Sequence, residues 1–583
     1  MTARGILLSA TKTRPPRWAV KCSHTILAAA GLVASATGAD TPARPKDYLN
    51  AAPEVVGQWQ DDRFGLFVCW GPVSLTGLEI GWSRGAPPWG IRPGVRGGKG
   101  PTPAEVYDSL YKKWKPDQFD AREWVQLAKD AGARYMIFLV KHHDGFCLYD
   151  TNLTDYKSTA PEAAWRHDVM KDIAEACHEG GVKLFIYYSQ PDWHHPDFCG
   201  ERHDRYIQYL HGQVRELLTR YGRIDGLWFD GLGAKAANWD AENLFKMARA
   251  LQPHLIINNR CGLPGDFDTP EQRLGRFQVG RPWETCMTLG TQWSWKPHDT
   301  IKSLKQCIDV LVTCAVRGGN LALNANPMPE GQIEPRQADR FREIGQWLKK
   351  YGESIYSTRG GPFQSAAWGG TTHRDNTIYV HVLKWPDKSV PLPQVSKKIV
   401  SCSVLTGGTA TVSQAGQGLE IAVPPSDRQE LDTIIVLKLD GPAADLGTIQ
   451  VPTASLTFGK KGTASNVFRN AAEFAPRKAL DGDPQTRWGC DWGTHAAWLE
   501  VDLGAVATFD RALISEPYGR VRRFELQAKK GDQWEPFYRG TTIGDDLAVE
   551  FKPTTARHVR LNLLETTDGP SIWEFQLFAP AAR

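Results

Sequence analysis

This 583-residue sequence lacks the motifs that announce phosphate, metal or nucleic-acid chemistry. It has no GxGxxG turn and no GKS/T loop, so a nucleotide-binding fold has no support. It has no CxxC pair of the kind that binds zinc, and no metal or other cofactor is expected. Net charge is nearly absent, since 69 basic and 65 acidic residues leave only +4. With no Lys/Arg-rich block outside the N-terminus, a nucleic-acid partner is not expected. Long apolar runs are missing as well. Residues 26–36 are too few to cross a bilayer as a helix, so no membrane span is expected. No internal repeat is visible.

What is present is an ordinary globular composition, 41% hydrophobic and 23% charged, over a length that calls for two to four domains. The start reads as an export signal over 1–39. Arg14, Arg17, Lys21 and His24 precede the apolar stretch, and small residues ending at Ala36 or Ala39 suit cleavage. The basic leader is long, which places a natural start near Val20. Secretion or export to the periplasm is the implied destination. Cleavage removes Cys22 from the 11 cysteines. The rest are scattered, and Cys177, Cys307 and Cys314 fall on helix-like faces. Buried free thiols are therefore expected, with at most one or two disulfides. The 22 tryptophans are numerous. Most belong in cores, but a flat indole also packs well on the C–H face of a pyranose.

From about 60 to 350, apolar runs alternate with helical patterns in a βαβ rhythm. The strand candidates are FGLFVCW (64–70), YMIFLVK (135–141), KLFIYYS (183–189), GLWFD (226–230), LIINN (255–259), RPWETC (281–286) and NLALN (320–324). Seven strands with room for an eighth predict a (β/α)8-type barrel, with a catalytic domain over 50–355. Residues 356–440 read as a small antiparallel β domain, 441–453 as a linker and 454–583 as a further all-β domain.

Polar residues gather just past the strand ends, which in a barrel converge on one face. Asp230 ends an apolar strand and is followed by glycine. Taken alone it is equally a helix cap or a catalytic carboxylate. Around it come Lys141, His142, His143 and Asp144, then Tyr187, Tyr188, Asp192, Trp193 and His194. Trp228, Asn258, Asn259, Arg260, Trp283 and Glu284 follow, with Glu271 in a Gly/Asp/Pro loop over 262–273. Such a pocket, with several carboxylates and no phosphate loop, suits a glycosidase.

The motifs FGLFVCWGP, YMIFLVKHHDGF, LFIYYSQPDW, YGRIDGLWFDG, LIINNR, TPEQR, PWETC and GNLALNANP resemble the α-L-fucosidases of glycoside hydrolase family 29. The match runs in order over about 60–355. ALDGDPQTRW, WLEVDLG, FELQAKKGDQWEPFY, HVRLNLLE and IWEFQLF resemble a discoidin-like (coagulation-factor C-type) β-sandwich of the galactose-binding-like, jelly-roll kind. Such sandwiches are often attached to glycosidases as carbohydrate-binding units.

The family resemblance implies a retaining exo-enzyme acting on fucosylated oligosaccharides or polysaccharides. Asp230 matches the nucleophile and Glu271 the acid/base. Their carboxyls are expected about 5–5.5 Å apart, with the pKa of Glu271 raised. His142 and His143 match ligands of the sugar hydroxyls. As a metal pair they lack a third ligand, and neighbours on a strand point to opposite faces. Arg260 matches a residue that keeps Asp230 ionised, or else braces its loop. Trp228 and one of Tyr187 or Tyr188, with Tyr188 the candidate chosen, match pocket walls. Glu79 and Trp82 either touch the sugar or serve their loop. Glu284 is the rival acid and is expected to buttress the pocket.

One departure stands out. The family usually has histidine where this chain has Cys69. A thiol is a weak donor, so another group compensates, or the sugar differs from fucose at that hydroxyl. A related alternative keeps the chemistry and changes the sugar, for instance to α-L-galactose or a modified fucose. The remaining alternative is a carbohydrate-binding protein on a degenerate barrel. In the tail, Trp488, Trp492, Tyr518 and Arg520 are candidate glycan contacts, whereas Trp498 and Trp573 are expected in the core.

Overall fold

The computed structural model describes residues 48–580, except 387, 416–417, 452–454, 484–485 and 545. The expected export signal lies outside the described residues.

Seven parallel strands form the catalytic sheet: β1 (Phe64–Val68), β2 (Tyr135–Lys141), β3 (Lys183–Ser189), β4 (Gly226–Asp230), β5 (Ile256–Ile257), β6 (Glu284–Thr288) and β7 (Asn320–Ala325). Their order is β5-β4-β3-β2-β1-β7-β6. Nearly every residue on them is buried, which is why their sequences are continuous apolar runs rather than alternating ones. The helices between them begin and end on recognisable signals. The Asp120 side chain accepts from Arg122 N at 2.8 Å at the start of Ala121–Asp130. Val169–Gly180 stops at Gly181, whose φ of 66° is left-handed. Ser303 and Gln306 form a capping box on Leu304–Val316.

Two strands differ most from their expected extents, and both flank the same gap. β5 ends at Ile257 because the Asn258 side chain replaces the main-chain ladder. Its Oδ1 accepts from Phe229 N at 3.0 Å and its Nδ2 donates to Phe229 O at 2.9 Å. β6 begins at Glu284 rather than Arg281. Residues 267–271 lie between the two edges and join them by isolated parallel bridges: Asn258 to Phe267, Asp268 to Trp283 and Glu271 to Cys286. This irregular seam stands where an eighth strand would close a barrel.

The small β domain holds a five-stranded antiparallel sheet and a three-stranded one. Residues 441–451, the described part of the expected linker, do not hang free of it. Ala443 is fully buried, and Ile449 bridges to Phe363. The C-terminal sandwich is built on two long antiparallel strands, Ala497–Ser515 and Leu547–Thr566. Their inward side chains, among them Leu499, Phe509, Val559 and Leu561, meet Phe524 and Phe575 in a separate core. Trp488 is 0% exposed and donates from Nε1 to Asn466 O at 2.9 Å. It is a core residue and not a glycan contact. Trp498 and Trp573 correct the expectation in the other direction. Both are only half buried and carry arginine guanidiniums on their rings. All ten described cysteines are free thiols.

Candidate active site

Asp230 closes β4 opposite Ser189 of β3, and only 8% of it is exposed. Its Oδ1 accepts from Arg260 Nη1 at 3.2 Å and its Oδ2 from the Tyr187 hydroxyl at 2.9 Å. His143 Nε2 stands 3.6 Å from Oδ2. Arg260 comes from a short turn, Asn259–Cys261, just past β5. Its guanidinium lies 4.6 Å from the Trp228 ring centre. Nε and Nη2 donate to Thr269 Oγ1 and O at 2.8 and 3.1 Å, which holds the cation in place.

Burial works to raise the Asp230 pKa, but the Arg260 charge, His143 and the Tyr187 hydrogen bond outweigh it. The carboxyl is held below its usual range. Burial is also the largest influence on His143 and lowers it to about 4, against the pull of Asp230. His143 is therefore neutral at neutral pH, where the ionised Asp230 rests on Arg260 and Tyr187. Asp230 is an ionised, desolvated carboxylate at a strand end.

Glu271 lies on the seam, with 39% of its side chain exposed, and its Oε2 is 2.8 Å from Arg260 Nη1. Both carboxylates thus touch one nitrogen. Their contacting oxygens are no farther apart than those two contacts laid end to end. Two carboxylates held that close can flank a single glycosidic bond.

The histidines do not point to opposite faces. β2 ends at Lys141, and the next residues form a turn closed by Gly145 N to His142 O at 3.0 Å. Strand alternation therefore no longer applies, and the two rings lie 4.2 Å apart. His143 Nδ1 bonds Ser189 Oγ at 2.6 Å. His142 lies parallel to Tyr187, 5.8 Å away. Its Nδ1 is buried without a hydrogen-bond partner and faces Gly81, where a Cβ would stand only 2.4 Å off. Burial, then His143, keeps His142 neutral by lowering its pKa. Among the described residues, no group of three or more His, Cys, Asp or Glu side chains could hold a metal ion.

Tyr188 is not the pocket tyrosine. Alternation along β3 sends it behind the sheet, where its hydroxyl donates to Gln213 at 2.8 Å and accepts from Lys141 at 3.0 Å. Tyr187 takes the inward position. Glu284 is fully buried and accepts from Trp228 Nε1 at 3.0 Å and from the Tyr135 hydroxyl. It sits behind Trp228 as a buttress and not as a sugar ligand, and burial raises its pKa to about 7 despite those two bonds. Glu79 is spent tying its loop to the segment after β6, accepting from Ile80 N and Trp293 N, each at 2.9 Å, and from Ser294 N at 3.2 Å. Trp82 stays 40% exposed at the mouth, edge-on to His143 and Trp193. Cys69 is buried in the floor, and burial pushes its thiol well above the usual range.

Several pocket residues escaped the sequence reading. Phe67 packs against Tyr187, Trp228 and Trp293. Thr269 and Ser189 fix Arg260 and His143. Ser189 and Phe67 were visible as strand positions in register with the site. Thr269 carried no signal beyond its closeness to Glu271.

The chain was compared with known proteins. An alpha-L-fucosidase family model matches residues 35–353, and an F5/8 type C domain model matches residues 461–575. The alpha-L-fucosidase isoenzyme 1 structure from Paenibacillus thiaminolyticus is 32% identical, with a TM-score of 0.58, covering 66% of this chain and 99% of that one. A GH29 alpha-L-fucosidase from Bacteroides thetaiotaomicron, described as a trapped covalent intermediate, is 24% identical with a TM-score of 0.59. It covers 67% of this chain and 97% of its own. A putative alpha-L-fucosidase 1 from Oryza sativa subsp. japonica is 24% identical over 550 residues, 93% of this chain and 88% of that protein. Because the first model spans more than half of the sequence, this chain is a glycoside hydrolase of the alpha-L-fucosidase family.

Proposed function

We propose that this enzyme releases terminal α-L-fucose by double displacement, with Asp230 as nucleophile and Glu271 as acid/base. The observation that carries the assignment is the shared nitrogen: Arg260 Nη1 contacts both carboxylates. Asp230, ionised and partly desolvated, attacks the anomeric carbon as the bond to the leaving oxygen breaks. Glu271 turns from Arg260 toward that oxygen and gives it a proton. In the second step Glu271 takes a proton from water, which displaces Asp230 and restores the configuration. Trp228 and Phe67 form the apolar wall, while His142 and His143, both neutral, each offer Nε2 to the sugar; His143 donates from Nδ1 to Ser189 and so accepts from a sugar hydroxyl at Nε2.

Azide chemistry tests the assignment. Asp230→Ala should lower kcat on an aryl α-L-fucoside by about 10⁴-fold, and added azide should give the inverted fucosyl azide. Glu271→Ala should give the retained azide with an activated substrate. Inverted azide from both variants would reject the two roles.

The sandwich supports attachment to a polymeric glycan. Trp492 is 64% and Tyr518 52% exposed, and the Arg520 guanidinium is stacked between them, 4.8 and 4.5 Å from the two rings. Exposed indole and phenol faces held by a fixed cation suit stacking on sugar rings. Export belongs to the same reading, and the mature protein should begin just after Ala36 or Ala39.

A further inference from the structure

The stretch that carries Glu271 is held by isolated bridges rather than by a ladder. Just after Glu271 the backbone turns through a left-handed residue, Gln272, with φ 53°. The chain then runs back along β6. Arg273 O accepts from Thr285 Oγ1 at 3.1 Å, and Gly275 lies so close to Trp283 that a Cβ would stand 2.4 Å from the ring. Phe277 is buried, and Gln278 N donates to Arg317 O at 2.9 Å. Between these anchors Arg276 leaves the catalytic domain. Its guanidinium packs on the indole of Trp573, and its charge acts on the neighbouring, buried Glu574. Glu574 opens the last strand of the sandwich, and Trp573 N donates to Ser515 O at 2.8 Å. Glu574 Oε1 is buried without a hydrogen-bond partner. Burial, then Asp481, pushes this carboxyl up to about 8 against the influence of Arg276.

We infer that Arg276 is a positioning residue: by fastening the returning limb of the seam to Trp573 and Glu574, it makes the C-terminal sandwich a brace for the acid/base carboxylate. The inference rests on the reading of Glu271 as acid/base. Main-chain bonds to β6 fix the seam at Asp268, Pro270 and Gln272, so a shift of the limb beyond Gln272 is passed directly to Glu271. A general acid displaced by about 1 Å can lose on the order of 10²-fold in rate. The sandwich thus serves catalysis at the barrel, apart from any glycan it holds.

Full-length variants test this with two fucosides. In kcat/KM, 4-methoxyphenyl α-L-fucoside needs protonation of its leaving oxygen and 2,4-dinitrophenyl α-L-fucoside does not. Arg276→Ala and Trp573→Ala should each lower kcat/KM about tenfold on the first and less than about twofold on the second. Arg276→Lys, which keeps the charge but not the planar stack, should fall between. The double variant should be no worse than either single one, because both remove the same contact. Equal losses on both substrates, no loss on either, or additive losses would overturn the inference. If Arg276→Ala does not fold, Trp573→Ala and Trp573→Phe decide from the sandwich side. Glu271→Ala is the separate control. If it lowers both substrates equally, the acid/base assignment itself fails.

Discussion

Tyr187 and Tyr188 are chain neighbours with unrelated duties. Tyr187 donates to the nucleophile, while Tyr188 completes a buried network with Lys141 and Gln213. The Tyr187 bond helps hold the Asp230 pKa down, so Tyr187→Phe should let it rise. The acidic limb of the kcat/KM profile should then move to higher pH. Tyr188→Phe should leave that limb in place and cost about 1–2 kcal/mol of stability in chemical denaturation. Cys69 is the other single-residue question. Its thiol is buried, protonated and a weak donor. Cys69→Ala should therefore keep kcat/KM on an aryl fucoside within about threefold. A larger loss would make the thiol a sugar contact. Parallel assays on α-L-fucosides and α-L-galactosides would show which sugar the site prefers.

At the scale of elements, β6 carries its own titration. Glu284 has a raised pKa in the fold, about 7 against an ordinary 4.5, so the folded protein binds the proton more tightly than the unfolded chain. Stability from this group is fully present below pH 4.5 and declines as pH rises toward 7, by roughly 3 kcal/mol in total. Glu284→Gln should flatten that decline in urea titrations across the interval, whatever it does to absolute stability. The sequence made the strands legible because buried parallel strands are plain apolar runs. It placed Asp230, His142, His143, Arg260 and Glu271 in one pocket because strand ends converge. It could not show that Asn258 would stop β5 with its side chain, or that His142 and His143 sit on a turn. Both depend on where a ladder ends, which is settled by contacts with another strand. The choice between Tyr187 and Tyr188 hung on the phase of β3 relative to the barrel axis, which periodicity alone leaves undetermined.

At the scale of the molecule, the catalytic and sugar-holding surfaces belong to different cores. Trp492→Ala should weaken retention on a fucosylated polysaccharide in affinity electrophoresis while leaving hydrolysis of a small aryl fucoside unchanged. Changes of texture, from which the domain boundaries were expected, were legible in the sequence. The contact of Arg276 with Trp573 was not, since a half-buried tryptophan in a strand reads as core until its neighbour across the domain boundary is known.

The ten thiols carry one more consequence. With no disulfide among the described residues and eight of the cysteines buried, native structure demands no oxidant. The enzyme should reach full activity when made in a reducing cytoplasm, and dithiothreitol should not lower its melting temperature. Of these thiols only Cys199 is fully exposed. A brief pulse of iodoacetamide on the native protein should alkylate chiefly that one, and denaturant should release the others. Any oxidant the molecule meets finds most of the described sulfur shielded by packing.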